Sequence, residues 1–267
     1  RQNCGNLLAA AAQFAVERGL IVVTGAHESV RVYMSNTDSV ATSTFPIKNG
    51  VPVYAGTTAI DGVPRPAARV QLDFANIAGG SCGALLPTGS TVDQIDGVAV
   101  TMIDHGMPVV VMQSTDLGIT GAEPPDQLDR NDALRARLES IRLQAGHLMG
   151  LGDVTEATVP KLTMVSSARG HGDLSTRTFI PHRCHEAIGV LGAVSVATAS
   201  LLPGSPAADV LRKGAGLDGM IICEHPAGSF TAAVEIDTST DPPTARRSGI
   251  VRTARKLMDG VVFPTSL

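Results

Sequence analysis

Two runs of small apolar residues constrain this chain more than any other feature. Residues 7–16 read LLAAAAQFAV, and residues 187–202 read AIGVLGAVSVATASLL. Leu7, Leu8, Ala11, Phe14 and Ala15 recur at helical spacing, and Gly19 is placed to end that helix. The second run, with His185 at its head, is apolar on every face, the mark of a helix enclosed by other structure. It falls short of the roughly 20 strongly apolar residues that a membrane span needs. Each helix must therefore be wrapped by something, and the rest of the chain offers mainly strands.

Short strand patterns occur at residues 30–35, 51–56, 69–75, 98–104, 108–112, 162–166, 220–224, 230–236 and 250–253, separated by Gly, Pro and Asn. A further amphipathic helix is expected over 129–145. Leu134, Leu138, Ile141 and Ala145 form its stripe, Asp129 or Asn131 its cap and Gly146 its stop. Ser205-Pro206 opens a short helix that Gly214 closes. Strands and helices do not alternate regularly, so the class is α+β. One helix-centred lobe in each half, with a cleft between them, is the simplest architecture. The expected division is residues 1–68 and 69–267.

Composition narrows the function. The 267 residues carry a formal net charge of −4, with 43% hydrophobic and 17% charged residues. That supports a sizeable core and shows no basic footprint for nucleic acid. Aromatics are 3% with no Trp, which leaves no base-stacking platform and no membrane belt. Cys4, Cys82, Cys184 and Cys223 form no CxxC pair and no disulfide framework, so a reducing, cytoplasmic setting is expected. Lysine is scarce: Lys48, Lys161, Lys213 and Lys256 are the full set.

Several short motifs are weighed against plainer readings. Gly214-Ala215-Gly216-Leu217-Asp218-Gly219 fits a dinucleotide fingerprint in spelling, but it precedes a strand rather than a helix and reads as a loop. Gly79-Gly80-Ser81-Cys82-Gly83 lacks the helix that a nucleophile elbow requires. It reads better as a Gly-rich loop offering N–H groups to an anion. His182, Cys184, His185, Cys223 and His225 do not have zinc-ligand spacing, and no metal or other cofactor is expected. Cys4-Gly5-Asn6 is sharper. A thiol at a helix N-terminus has its pKa lowered, and the free N–H groups there hold a carboxylate. The alternative is a small cysteine near a helix cap. The segment at His185 offers a second such N-terminus. Arg252, Arg255 and Lys256 are either a solvated basic face or a polyanion grip.

These motifs, in order, resemble the PrpF-like family, which has the diaminopimelate epimerase fold. The resemblance runs through Cys4-Gly5-Asn6-Leu7, Ser81-Cys82-Gly83 to Pro87-Thr88-Gly89, Ile103-Asp104-His105-Gly106-Met107-Pro108, Pro181-His182-Arg183-Cys184-His185, His225-Pro226-Ala227-Gly228 and Val251-Arg252-Thr253. It implies two lobes, each a curved mixed sheet around a central helix. The family pattern has Ser where this chain has Ala227. It also carries a segment ahead of the CGN motif with a proton-transfer Lys, to which none of the four Lys corresponds. The first lobe is therefore expected to be incomplete.

The activity implied by the resemblance is cofactor-independent proton transfer that interconverts keto and enol forms of 4-oxalomesaconate, as in gallate breakdown. Alternatives are an aconitate-type or allylic isomerase of tricarboxylates, or a non-catalytic tricarboxylate-binding fragment. Cys4 would be the catalytic residue. Substrate contacts would come from Gly5, Asn6, Ser81, Cys82, Thr88, Gly89, Met107, His185, His225 and Arg252. The expected partner is a small tricarboxylate, with homo-oligomerisation open.

Overall fold

The computed structural model describes residues 5–35 and 38–263. The chain forms two compact units: Arg1–Leu72 with Arg252–Leu267, and Asp73–Val251. The division expected at 68/69 did not anticipate that the C-terminal segment groups with the first unit. The cause is a set of polar ties with partners far away in sequence, described below.

The first unit holds helix α1 (Gly5–Glu17) and strands β1 (His27–Met34), β2 (Ser39–Lys48) and β3 (Val51–Pro52), and β4 (Arg69–Phe74) leads out of it. β1 and β2 pair antiparallel from His27↔Pro46 to Met34↔Ser39. Leu8, Ala9, Ala12 and Val16 bury one stripe of α1, and α1 packs on β1, β2 and β3. The small alanines let strand backbones approach closely. Gly19, at φ +66°, follows the last turn as expected. β2 was missed in the sequence because its inward positions are Ala41, Ser43, Phe45 and Ile47. Two of these four are too small or too polar to show the alternation.

The second unit is built on one sheet. It contains β5 (Asp93–Ile95), β6 (Val98–Asp104), β7 (Pro108–Gln113), β8 (Lys161–Ser167), β9 (Leu174–Phe179), β10 (Met220–His225), β11 (Gly228–Asp237) and β12 (Thr244–Thr253), in the order β12-β11-β10-β9-β8-β7-β6-β5. Two pairings, β7 with β8 and β9 with β10, are parallel and the rest antiparallel. The expected α+β class with mixed sheets is what forms.

Helix α2 (Pro125–Asp129), unrecognised in the sequence, precedes α3 (Asp132–Leu148). Leu134, Leu138, Ile141 and Ala145 of α3 meet Val98, Val100, Met102, Val110, Met112, Leu162 and Met164 in one apolar core. Asn131 caps α3, its side chain accepting from Leu134 N–H at 3.0 Å. Gly146 does not stop the helix. It lies inside α3, where a Cβ would come within 2.5 Å of Val154 Cγ2. The glycine is there for close approach. Arg142 is fully buried on α3. It binds the Glu139 carboxylate at 2.7 and 2.8 Å and donates to the carbonyls of Val154 and Ala157, which fixes the following loop.

The pleat sends alternate residues of β6, β7 and β8 to the opposite face of the sheet. There α4 (Val190–Ser200) packs on β6, β7, β10 and β11, and α5 (Pro206–Val210) packs on β6, β7 and β8. Every residue of α4 from Gly192 to Ser200 is buried, as an all-apolar helix requires. The helix starts at Val190 rather than near His185. β9 was missed because Ser175, Thr176, Arg177 and Thr178 are buried polar residues satisfied by specific partners, such as Thr163 Oγ1 with Thr178 Oγ1 at 3.0 Å.

Candidate active site

The turn joining β6 to β7 is held from two sides, by the Gly79–Leu86 loop and by α4. Asp104 and His105 are both fully buried. Asp104 Oδ2 accepts the backbone N–H groups of Ser81 at 2.7 Å and Cys82 at 2.9 Å. Gly79 N–H donates to Asp104 O at 2.7 Å, and Asp104 N–H to Leu85 O at 2.9 Å. The loop from Gly79 to Leu86 is thus folded around residue 104. Gly79 has φ +72°, and a Cβ there would sit 2.6 Å from Ala84 N. Only glycine fits that approach.

His105 reaches the other way. Its backbone N–H donates to Ser195 Oγ at 3.1 Å, and Ser195 Oγ–H donates to Met107 O at 2.7 Å. One hydroxyl from α4 therefore holds both sides of Gly106, which has φ +84°. His105 Nδ1 lies 2.7 Å from Thr198 Oγ1, and that hydroxyl already donates to Val194 O at 2.8 Å. The ring must then donate through Nδ1, which leaves Nε2 to accept from the Ser248 hydroxyl of β12. Burial pushes the imidazole pKa down to about 4, so the ring is neutral at physiological pH.

This arrangement corrects part of the expected anion-binding loop. The N–H groups of Ser81 and Cys82 are taken by Asp104 and are not offered to a ligand. Burial, and then the Asp104 charge, push the Cys82 thiol up to about 12, so it stays protonated. Thr88 Oγ1–H donates to Asp93 Oδ2 at 2.7 Å, and Gly89 N–H donates to Leu86 O at 3.0 Å with φ +77°. These two residues close a turn.

Met107 is tied to α4 by Ser195, and the segments that carry His185 and His225 are tied to each other. His185 is exposed on the approach to α4, its Nδ1 accepting from Ala187 N–H at 3.1 Å. His225 ends β10 and pairs with Gly228 across a two-residue turn, and Ala227 N–H of that turn donates to Glu186 O at 2.9 Å. Cys4 lies outside the described residues. Gly5 and Asn6 are the first two residues of α1. Arg252, near the end of β12, is half-buried, and burial lowers its pKa from the usual arginine value.

The C-terminal basic residues are structural ties within the first unit. Arg255 donates to the carbonyls of Pro64 and Arg65. Lys256 Nζ pairs with Glu17 Oε2 at 3.1 Å and Asp259 Oδ2 at 2.9 Å. Cys184 and Cys223 are buried, with pKa values of about 12 for which burial is the main cause. Among the described residues no three of His, Cys, Asp and Glu form a group able to hold a metal ion. The Gly214–Gly219 stretch is a turn before β10, as expected.

Sequence reasoning missed the Asp104, His105, Ser195 and Ser248 set. Asp104-His105-Gly106 reads as a simple turn, and its partners lie 22 to 143 residues away. It also missed Glu224, whose carboxylate accepts the N–H groups of Arg169, Gly170 and Gly172 at 2.7–2.9 Å.

Comparison with known proteins places this geometry. A family model described as "PrpF protein" matches residues 1–265. The chain is 51% identical over 262 residues to the (4E)-oxalomesaconate Delta-isomerase of Novosphingobium sp. (strain KA1), covering 98% of this chain and 72% of that protein. It is 50% identical over 261 residues to the 4-oxalomesaconate tautomerase of Pseudomonas putida, covering 98% of this chain and 71% of that protein. The solved structure of methylitaconate-delta-isomerase superposes with a TM-score of 0.89 at 25% identity, over 98% of this chain and 72% of that one. The fold is accordingly the diaminopimelate epimerase-like α+β fold. With the family model matched almost end to end and two relatives at half identity, this chain belongs to the PrpF protein family.

Proposed function

We propose that the protein is an isomerase that interconverts the keto and enol forms of 4-oxalomesaconate. The observation that carries this is 50–51% identity over 98% of the chain to two proteins named for that substrate. The chemistry moves one proton. A base takes it from carbon next to a carbonyl, the enolate is held by N–H groups and cations, and a proton returns to oxygen or carbon.

In this reading Cys4 exchanges the proton. It directly precedes α1, where the positive end of the helix dipole favours a thiolate. The backbone N–H groups of Gly5 and Asn6 hold a carboxylate. Met107, His185, His225 and Arg252 remain candidate substrate contacts. The high thiol pKa values of Cys82, Cys184 and Cys223 support leaving the base role to Cys4. The proposal extends to a step in gallate breakdown in the cytoplasm. Cys82, Cys184 and Cys223 are free thiols, in keeping with a reducing compartment. No helix among the described residues is long and apolar enough to cross a membrane.

A second reading, allylic isomerisation of a related tricarboxylate, is favoured by the close superposition on methylitaconate-delta-isomerase. Ultraviolet absorbance follows either reaction of 4-oxalomesaconate, and proton NMR of the product separates the two. Tautomerisation consumes one tautomer without moving the carbon–carbon double bond to a new pair of carbons. Product with a shifted double bond would favour the second reading, and no change of either kind would sink both.

A further inference from the structure

Three of the four lysines are easily placed. Lys48 and Lys213 are exposed, and Lys256 is paired with Glu17 and Asp259. Lys161 differs. It is half-buried at the first position of β8, on the α4 face of the sheet, in register with Val109 of β7. Its Nζ lies at the head of α4: a methyl group placed on Gly189 would be 3.8 Å away. Among the described residues no hydrogen bond or ion pair meets this ammonium, and burial alone lowers its pKa with no acidic neighbour acting on it.

A partly desolvated cation without a counter-charge is unfavourable, and proteins normally pair it. The surroundings are accessible to a ligand. Gly106, Met107, Gly189, Val190 and Leu191 are all half-exposed, whereas the next turn of α4 is buried. A Leu191 methyl would come within 3.4 Å of a Cβ on Gly106, so the β6–β7 turn and the head of α4 are neighbours. The N–H groups of Val190, Leu191 and Gly192 precede the first intrahelical bond, Ala193 N–H to Gly189 O. They point the same way in charge, but the unneutralised lysine is what singles the place out.

We propose that Lys161 is a specificity-determining residue whose ammonium pairs with one carboxylate of the tricarboxylate substrate at the head of α4. This rests on the isomerase reading above and adds a residue to it. It assigns Lys161 to recognition and not to proton transfer. Loss of one charge-assisted contact weakens binding by about ten- to a hundredfold.

The test uses Lys161→Met, which keeps the apolar stem, and Lys161→Arg, which keeps the charge. Two readouts are needed: steady-state kinetics with 4-oxalomesaconate, and the rise in Tm given by tricarballylate, a saturated tricarboxylate. Lys161→Met is expected to raise KM about tenfold or more with kcat within about threefold. It should also abolish the tricarballylate shift, while Lys161→Arg recovers part of both. A Lys161→Met protein that binds tricarballylate as the wild type does overturns the inference and leaves the isomerase reading standing. A wild type without turnover, whose tricarballylate shift still depends on Lys161, sinks the isomerase reading and supports the residue assignment. Should Lys161→Met fail to fold, Lys161→Gln takes its place in both readouts.

Discussion

Asp104 accepts the backbone N–H of Cys82 at 2.9 Å and, after burial, is the main influence that holds the Cys82 thiol near a pKa of 12. The carboxylate thus organises the Gly79–Leu86 loop and suppresses the reactivity of the cysteine in it. Labelling by iodoacetamide, read by peptide mass spectrometry, should leave Cys82 nearly unmodified between pH 6 and 9, with a slow rate that still climbs about tenfold per pH unit at pH 9, where a free thiol is levelling off, because only the thiolate reacts. Asp104→Asn should raise that rate. A Cys82 that labels faster than a free thiol at pH 7 would contradict the assignment.

Removal of the carboxylate also costs stability. Asp104→Ala leaves two half-buried N–H donors without their acceptor, at about 1–3 kcal/mol each before water compensates. Asp104→Asn keeps one acceptor oxygen and should lose less. Urea unfolding measures both. Equal stability of Asp104→Ala and wild type would contradict the clamp.

His105 gives a pH signature. Its folded pKa of about 4 lies below the ordinary histidine value, so the unfolded chain binds the extra proton first on acidification. The contribution of neutral His105 is full above the unfolded pKa of about 6.5 and is lost as pH falls towards 4, by up to about 3 kcal/mol. His105→Gln should flatten that part of the stability–pH curve. A curve that keeps its slope in the variant would place the titration elsewhere.

The three cysteines with raised pKa values predict the opposite limb. Cys82, Cys184 and Cys223 stay protonated in the fold, while the unfolded chain ionises them above about pH 8.5. The folded state then binds more protons, so stability falls as pH rises from about 8.5 towards 11. Cys223→Ala should shallow that fall, read by thermal unfolding across the alkaline range.

Gly106→Ala tests the stapled turn. The residue has φ +84°, and a Cβ would come within 2.9 Å of Ile77 Cδ1. The backbone strain costs on the order of 1–3 kcal/mol. Ser195→Ala, which releases both His105 N–H and Met107 O, should lower Tm in the same direction. Unchanged Tm in both would show that the turn needs neither.

The sequence revealed the fold where burial and apolar character coincide. The α3 stripe from Leu134 to Ala145, the β6 run and the two small-residue helices are legible because their inward faces are greasy. It concealed β2 and β9, whose buried residues include Ser43, Ser175, Thr176 and Thr178, because buried polar side chains leave no apolar periodic trace. The same physics hid the site. Cys4-Gly5-Asn6 stands out as a local pattern, whereas Lys161 is defined by the lack of a nearby acid, and Ser195 by carbonyl and amide groups almost 90 residues away. Gly146 misled for a related reason: a glycine chosen for tertiary contact looks like one chosen for a helix end.

The central claim is that this protein moves a proton on 4-oxalomesaconate with Cys4 as the exchanging group. Proton NMR in deuterium oxide reads this directly. The wild type should drive keto–enol interconversion and catalyse exchange of one carbon-bound hydrogen for deuterium, and Cys4→Ala should lose at least about a hundredfold of that rate while still binding tricarballylate. A wild type that binds tricarballylate but neither interconverts nor exchanges, or a Cys4→Ala protein as fast as the wild type, would contradict it.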